Sequence, residues 1–363
     1  MKPAADAADL SDRHRKEAGM QETVLVTGVS GFIARQVTLD LLNAGYRVRG
    51  TLRDASRSES VRETLARAGA DVSGLEFVEA DLDSDEGWEE AVRGARFVQH
   101  IASPFPIEQP RDREALVPAA RSGALRVLAA ARAGQVERVV LTSSVAAMEY
   151  RPRRPREFTV REEDWTDPEW RRLSPYIVSK TRAEKAAWSW AVEHGWRDRL
   201  TVVNPGFVLG PTLDARIGTS LEVIKLFLEG AYPATPNVAF TVADVRDVSA
   251  VHVRAMELPE SGARRLIAAG QTLSLPEIGE ILRTALPEFG EKIPNRVLPD
   301  FFVRVLALFD RSLRSVTPNL GHVGRAESAY VTELTGVSFR PSAEAVREAA
   351  RSMIRYGVVT PPA

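Results

Sequence analysis

The sequence predicts an α/β chain: a doubly wound parallel sheet followed by a smaller, partly helical C-terminal lobe. Three observations lead there. From Thr23 onward, short β-branched runs alternate with helical stretches, the rhythm of parallel α/β folds. The first run, Thr23-Val24-Leu25-Val26-Thr27, is almost continuously apolar, as a strand buried on both faces must be. A glycine-rich turn, Gly28 to Ala34, then leads straight into a helical pattern.

The elements follow in order. The first helix runs to about residue 44 and is closed by Gly45, a residue suited to a left-handed C-terminal cap. Residues 46–52 read as the second strand, 59–68 as a helix and 75–78 as the third strand. Residues 96–101 are the fourth strand, 114–133 a long Ala-rich helix and 138–143 the fifth strand. A helix containing Tyr176 continues to about 194, and 200–204 is the sixth strand. Beyond Asn204, Pro and Gly become denser and strands stop recurring regularly. Helices are expected at 221–229, 275–285 and 300–314, with a return strand near 264–268. The Phe- and Leu-rich stripe of 300–314 is read as packing on its own core. Arg151-Pro152-Arg153-Arg154-Pro155-Arg156 is read as a solvated basic loop.

These boundaries divide the chain into a disordered tail over residues 1–20, a dinucleotide-binding domain over 21–204 and a lobe over 205–363 that crosses back at the return strand. The tail is polar and has no apolar core, so it is no secretory signal. Met20 is an alternative start. The 48 Lys and Arg nearly cancel the 49 Asp and Glu, so no global field points to nucleic acid or to an acidic membrane surface. There are no cysteines, which excludes disulfides, thiolate catalysis and Cys-based zinc sites. The five His have no metal-ligand spacing, and no apolar run is long enough to span a membrane. A cytoplasmic protein is expected, monomeric or homodimeric, without metal.

In the glycine turn, Gly28 permits the tight bend and Gly31 lets a pyrophosphate approach the backbone. Ala34 lets the helix pack closely on the sheet. Ser30, Phe32 and Ile33 complete this loop, whose free N–H groups and helix dipole suit a dinucleotide phosphate. Arg53 ends the second strand, where an acid would bind a ribose 2′-hydroxyl; an arginine there suits a 2′-phosphate and so NADP over NAD. Arg57 adds a second cation, while Asp54 works against this reading. Asp81 and Leu82 follow the third strand, where they reach an adenine ring or, equally, cap the next helix. Ile101, Ala102 and Ser103 end the fourth strand and leave room for a nicotinamide ribose. His100, just before them, is read as a packed strand residue.

Tyr176 and Lys180 lie four residues apart and therefore on one helix face. An ammonium beside a phenol favours the phenolate and lowers its pKa from about 10, which would make Tyr176 a general acid or base. Thr142, Ser143 and Ser144 end the fifth strand, where open parallel sheets bind their ligands. A hydroxyl there can donate to a substrate carbonyl. No Ser-His-Asp arrangement or glycine elbow surrounds Ser144, which argues against a hydrolase.

Taken in order, Thr27 to Ala34, Arg53-Asp54, Asp81-Leu82, Thr142-Ser143-Ser144, Trp165-Thr166-Asp167, Tyr176-x-x-x-Lys180 and Asn204 to Pro211 resemble the extended short-chain dehydrogenase/reductase (NAD-dependent epimerase/dehydratase) family. Within it the chain is most similar to the dihydroflavonol reductase-like and aldehyde/carbonyl reductase branch. The resemblance covers roughly residues 23–253. It implies a Rossmann-type domain carrying NADP(H) and a C-terminal substrate lobe. It also implies Tyr176 as proton donor, Ser144 as the residue orienting the carbonyl, and Lys180 on the nicotinamide ribose. Pro205, Gly206 and Val208 should then contact the nicotinamide end. The family's frequent helix Asn has no match, since Pro118 to Gly123 puts alanine near that position.

The leading expectation is an NADPH-dependent reductase of an aldehyde, ketone or dihydroflavonol-like carbonyl. A nucleotide-sugar epimerase/dehydratase and a 3β-hydroxysteroid-type dehydrogenase are the alternatives, with a non-catalytic NADP-sensing regulator from another class. Arg254, Arg264 and Arg265 keep a diphosphate substrate open. Phe105, Pro106, Met148, Phe207, Thr219 and Ser220 are candidate walls of the substrate pocket, each equally readable as plain core.

Overall fold

The computed structural model describes residues 22–103, 110–309 and 311–362. The expected N-terminal tail with Met20, and Pro104, Phe105 and Pro106, lie outside the described residues.

Seven parallel strands make the central sheet: β1 (Thr23–Val26), β2 (Arg47–Leu52), β3 (Leu75–Glu79), β4 (Phe97–His100), β5 (Arg138–Thr142), β7 (Leu200–Pro205) and β11 (Arg265–Ala268). Their spatial order is β11-β7-β5-β4-β1-β2-β3, so the order reverses between β1 and β4. Such a reversal opens a crevice at the carboxyl ends of the strands, where α/β proteins bind ligands. The return strand β11 pairs with β7, setting Ile267 opposite Asn204.

Smaller strand sets flank this sheet. β6 (Glu157–Val160) pairs with β14 (Val323–Ala326), and β10 (Ala239–Asp244) pairs with β8 (Phe207–Leu209) on one side and β12 (Thr272–Ser274) on the other. β9 (Thr235–Pro236) pairs with β13 (Val297–Leu298).

The helices are α1 (Phe32–Asn43), α2 (Ser58–Arg67), α3 (Trp88–Val92), α4 (Val117–Ala133), α5 (Pro175–Glu193) and α6 (Thr219–Glu229). They continue with α7 (Val245–Glu257), α8 (Leu275–Ala285), α9 (Asp300–Leu306), α10 (Arg311–Val316), α11 (Ala329–Thr335) and α12 (Ser342–Arg355). Among the described residues, none is long and apolar enough to cross a membrane. One face of the sheet packs on α1 and α7 through Val37, Leu41, Val248 and Val251. The other packs on α4 and α5 through Val127, Leu128, Ala187 and Ala191. A separate cluster joins α6, α8 and α12 around Ile224, Ile278 and Val346.

Helix starts decide where the chemistry sits. Ser174 caps α5 by accepting from the Ile177 N–H, and Pro175 occupies the first turn with its φ already set for a helix. Tyr176 is thereby fixed in that first turn, with Lys180 one turn deeper.

Two expectations are corrected. The stripe over 300–314 does not pack on its own core: Val303 is buried, but Phe301, Phe302, Leu306, Leu308 and Phe309 are exposed. The loop around Arg154 is not simply solvated. Arg154 is buried between the Tyr150 and Phe158 rings and donates to the carbonyls of Glu149 and Pro318 and to Asn319 Oδ1. Its flat cation can stack and donate at once, which a run of basic residues does not reveal.

Candidate active site

The carboxyl ends of the central strands open on a cleft of ≈810 Å³. Its walls gather the sequence candidates from seven separate segments. Gly28, Ser30, Gly31, Phe32 and Ile33 come from the first turn, and Arg53 from the end of β2. Asp81 and Leu82 follow β3, and Ile101, Ala102 and Ser103 follow β4. Thr142, Ser143 and Ser144 come from β5, Tyr176 and Lys180 from α5, and Pro205, Gly206 and Val208 from the β7–β8 segment. Arg57 is not on the wall.

At one end the turn after β1 is built to leave backbone bare. Gly28 has φ +64°, and a Cβ placed on it would stand 2.9 Å from the Cβ of Ala102. Neither the conformation nor the space admits a side chain. Gly31 is the N-cap of α1 without a side-chain cap, and the first turn holds no acidic residue. The N–H groups and the positive end of the dipole are therefore turned to the cleft, which suits an anion. A Gly28→Ala variant should lose roughly 1–2 kcal/mol of folding stability from the left-handed backbone and bind dinucleotide more weakly; a denaturant titration and a cofactor titration read the two effects.

Arg53 is exposed on the cleft rim. The adjacent Asp54 carboxylate is held by Ser56 through its backbone N–H at 3.0 Å and its hydroxyl at 2.6 Å. These bonds, helped by Arg57 at 4.0 Å, pull the Asp54 pKa down. Arg57 stands beside Asp54, exposed and off the cleft wall. Asp81 Oδ1 accepts from the Asp83 N–H at 3.1 Å, closing a turn, while α3 starts from Gly87 instead.

At the other end Ser144 and Tyr176 share the cleft wall, and Ser144 acts to lower the Tyr176 pKa. Ser144 Oγ also accepts the Ala146 N–H at 3.1 Å, so its own proton is free for Tyr176 or for a ligand oxygen. Lys180 Nζ donates to the Thr142 carbonyl at 3.4 Å. The expected effect of Lys180 on Tyr176 is corrected. Burial raises the Tyr176 pKa, with Ser144 working against it. Lys180 is itself pushed down to about 8 by burial, which Glu184 partly offsets. For Tyr176, loss of water outweighs the opposing effect of Ser144. Tyr176 therefore holds its proton through the neutral range.

The model of the NAD dependent epimerase/dehydratase family matches residues 24–270. The chain belongs to that family. It is 36% identical over 270 residues to cinnamoyl-CoA reductase 1 of Arabidopsis thaliana, a match spanning 74% of this chain and 76% of the relative. It is 30% identical over 310 residues to the ketoreductase azaE of Aspergillus niger, spanning 81% and 91%. Among solved structures, yeast methylglyoxal/isovaleraldehyde reductase Gre2 complexed with NADPH superposes with a TM-score of 0.76 at 26% identity, covering 93% of this chain and all of that one.

Gln99, His252 and the bonds that brace this epimerase/dehydratase-family site escape the motif reading. Thr27 Oγ1 accepts the Ile101 and Ala102 N–H groups at 3.0 and 2.9 Å, which leaves its proton for His100 Nδ1 at 2.9 Å. His100, at 2% exposure, is a packed residue, and burial pushes its pKa down to about 3, so it is neutral. Thr142 Oγ1 meets His252 Nε2 at 3.0 Å, and Gln99 holds the other ring nitrogen at 2.8 Å. Thr166 Oγ1 donates to the Ala146 carbonyl at 2.7 Å and so braces the turn after Ser144. Ala120, in the segment where the family's helix Asn has no match, lines a small pocket that Lys180 also lines.

Of the substrate-wall candidates, Thr219 and Ser220 are on the cleft. Met148 is fully buried in a core with Val145, Val160 and Ile267. Phe207 stacks on Phe240 with ring centroids 5.1 Å apart. Arg265 is no surface charge: it is buried and paired with Glu184. Arg254 is tied to Glu257 and to the Thr335 carbonyl. Arg264 alone of the three is exposed.

Proposed function

We propose that the chain is an NADPH-dependent reductase of a small-molecule aldehyde, ketone or dihydroflavonol-like carbonyl. The observation that carries this is the convergence of Ser144, Tyr176 and Lys180 on one cleft wall, with Lys180 one helical turn from Tyr176. The named relatives act in the same sense, as cinnamoyl-CoA, keto and aldehyde reductases. Bound along the cleft, NADPH supplies the hydride. The bare turn at Gly28 and Gly31 holds its pyrophosphate, and Arg53 its 2′-phosphate. Asp81 and Leu82 stand at the adenine end, with Ile101, Ala102, Ser103, Pro205, Gly206 and Val208 toward the nicotinamide.

The remaining steps belong to side chains. Ser144 donates to the substrate carbonyl oxygen and orients it. Tyr176 gives the same oxygen its proton as the alkoxide forms. Lys180 holds ribose hydroxyls and supplies positive charge near the developing anion. Burial keeps Tyr176 protonated, which is the form that carbonyl reduction requires.

The sugar-nucleotide alternative is disfavoured. Of the three arginines that could have met a diphosphate, two are engaged by acids or carbonyls, and Arg264 stands beside Glu162. NADPH oxidation screened against aldehydes, ketones and dihydroflavonols tests the reading; a panel with no turnover would leave the regulator alternative. For the cofactor, Arg53→Ala should weaken NADPH about tenfold or more, since a charge-assisted contact to phosphate is lost, and leave NADH nearly unchanged. Equal weakening of both would show that Arg53 does not meet the 2′-phosphate.

A further inference from the structure

Glu184 lies one helical turn beyond Lys180 on α5, and its side chain is completely buried. A buried carboxylate is tolerated only when it is paired and hydrogen-bonded. Four donors meet this one. Oε1 accepts from Arg265 Nε at 2.6 Å and from Trp188 Nε1 at 3.4 Å. Oε2 accepts from Ser143 Oγ at 2.5 Å and from Asn204 Nδ2 at 2.8 Å.

These partners are not a random patch of core. Ser143 directly precedes Ser144, and Asn204 Nδ2 also donates to the Ser144 carbonyl at 3.2 Å. Arg265 is held from behind: its guanidinium lies 3.8 Å above the Trp165 ring and donates to the carbonyls of Glu162 and Asp164. One carboxylate thus ties the end of β5, β7 and β11 to the helix that carries Tyr176 and Lys180.

We propose that Glu184 is a positioning residue for carbonyl reduction: it fixes the Ser143–Ser144 strand end against α5, so that Ser144 and Tyr176 address one oxygen, and it holds a negative charge behind Lys180. This rests on the reductase reading of the same cleft.

The charge has its own readout. Lys180 is faced by His100 from β4, by the Thr142 carbonyl from β5, and by Tyr176 and Glu184 from its own helix, with Arg265 behind Glu184. His100 is neutral above its pKa of about 3, and burial keeps Tyr176 protonated. Lys180, at about 8, is therefore the member that titrates in the working range. Burial lowers it and Glu184 raises it. Without the carboxylate, Lys180 loses its proton at lower pH, and the loss of activity on the alkaline side moves down with it.

The test is steady-state NADPH oxidation by the full chain across pH, with any carbonyl that the wild type reduces. Glu184→Gln should lower kcat about tenfold with the KM for NADPH nearly unchanged, since the lost interaction acts in the transition state. Its alkaline limb should move to lower pH. Glu184→Asp, which keeps the charge but not the reach, should lose rate with the limb in place. If Glu184→Gln fails to fold because Arg265 is stranded, the double variant Glu184→Gln/Arg265→Met removes both charges and is read the same way. A folded Gln or double variant with wild-type kcat and an unmoved limb overturns the proposal while the reductase reading stands. A wild type that reduces no carbonyl overturns both.

Discussion

Replacing Tyr176 by Phe is expected to lower carbonyl reduction by roughly 10²–10⁴-fold, the usual contribution of a positioned acid, with NADPH binding nearly intact. The substitution removes one oxygen and keeps the ring that lines the cleft, so cofactor affinity and folding have little reason to change. What goes is the proton donor. Ser144→Ala should cost less, because the donor remains and only the orientation of the carbonyl suffers. Rates near wild type in Tyr176→Phe would mean that another group or water supplies the proton.

The largest expected effect on stability comes from Arg265→Leu. It strands a completely buried carboxylate, and breaking a buried pair from one side typically costs about 3–5 kcal/mol. Ser143, Asn204 and Trp188 would still reach Glu184, but none carries a compensating charge. The neighbouring Arg264→Ala is the control. That arginine is exposed and 3.4 Å from Glu162, an arrangement worth about 0–1 kcal/mol. Urea unfolding midpoints read both. Equal, small shifts would show that Glu184 is not held by Arg265, whereas recovery in the double variant would show that the stranded charge caused the loss.

The contrast between these two adjacent arginines shows where the sequence was legible. Strands such as β1 and β5 declare themselves because every residue of β1, and every residue of β5 after Arg138, is apolar or β-branched, and the glycine turn declares itself because its spacing serves one backbone geometry. Helix α5 could be read from Tyr176 to Lys180 because four residues make one face. Arg264 and Arg265 look alike in the chain, and only the pairing of β11 with β7 turns one inward to Glu184. Glu184 itself sits at the same four-residue interval from Lys180 as Lys180 from Tyr176, a signal that was present but unremarkable without the sheet beneath it.

The C-terminal lobe was less legible for a related reason. α7 carries Val245, Val248, Val251, Ala255 and Met256 on its buried side, with Asp244 capping its start, yet its valines by themselves suit a strand better than a helix. Its place beside α1 comes from tertiary packing. The exposed aromatic residues of α9 are the opposite case: their periodicity suggests burial, and the fold leaves them outside. The pKa of Tyr176 is not legible from spacing, which reports the neighbouring cation but not the loss of water.

The central claim is that this cleft transfers a hydride to a carbonyl and that Tyr176 protonates the oxygen. The most direct measurement follows the nicotinamide hydrogen with NADPH deuterated at the transferring position, incubated with a carbonyl from the active part of the panel. The account predicts one alcohol formed per NADPH consumed, with deuterium on the carbinol carbon. Turnover without net consumption of NADPH, the behaviour of an epimerase, would contradict it.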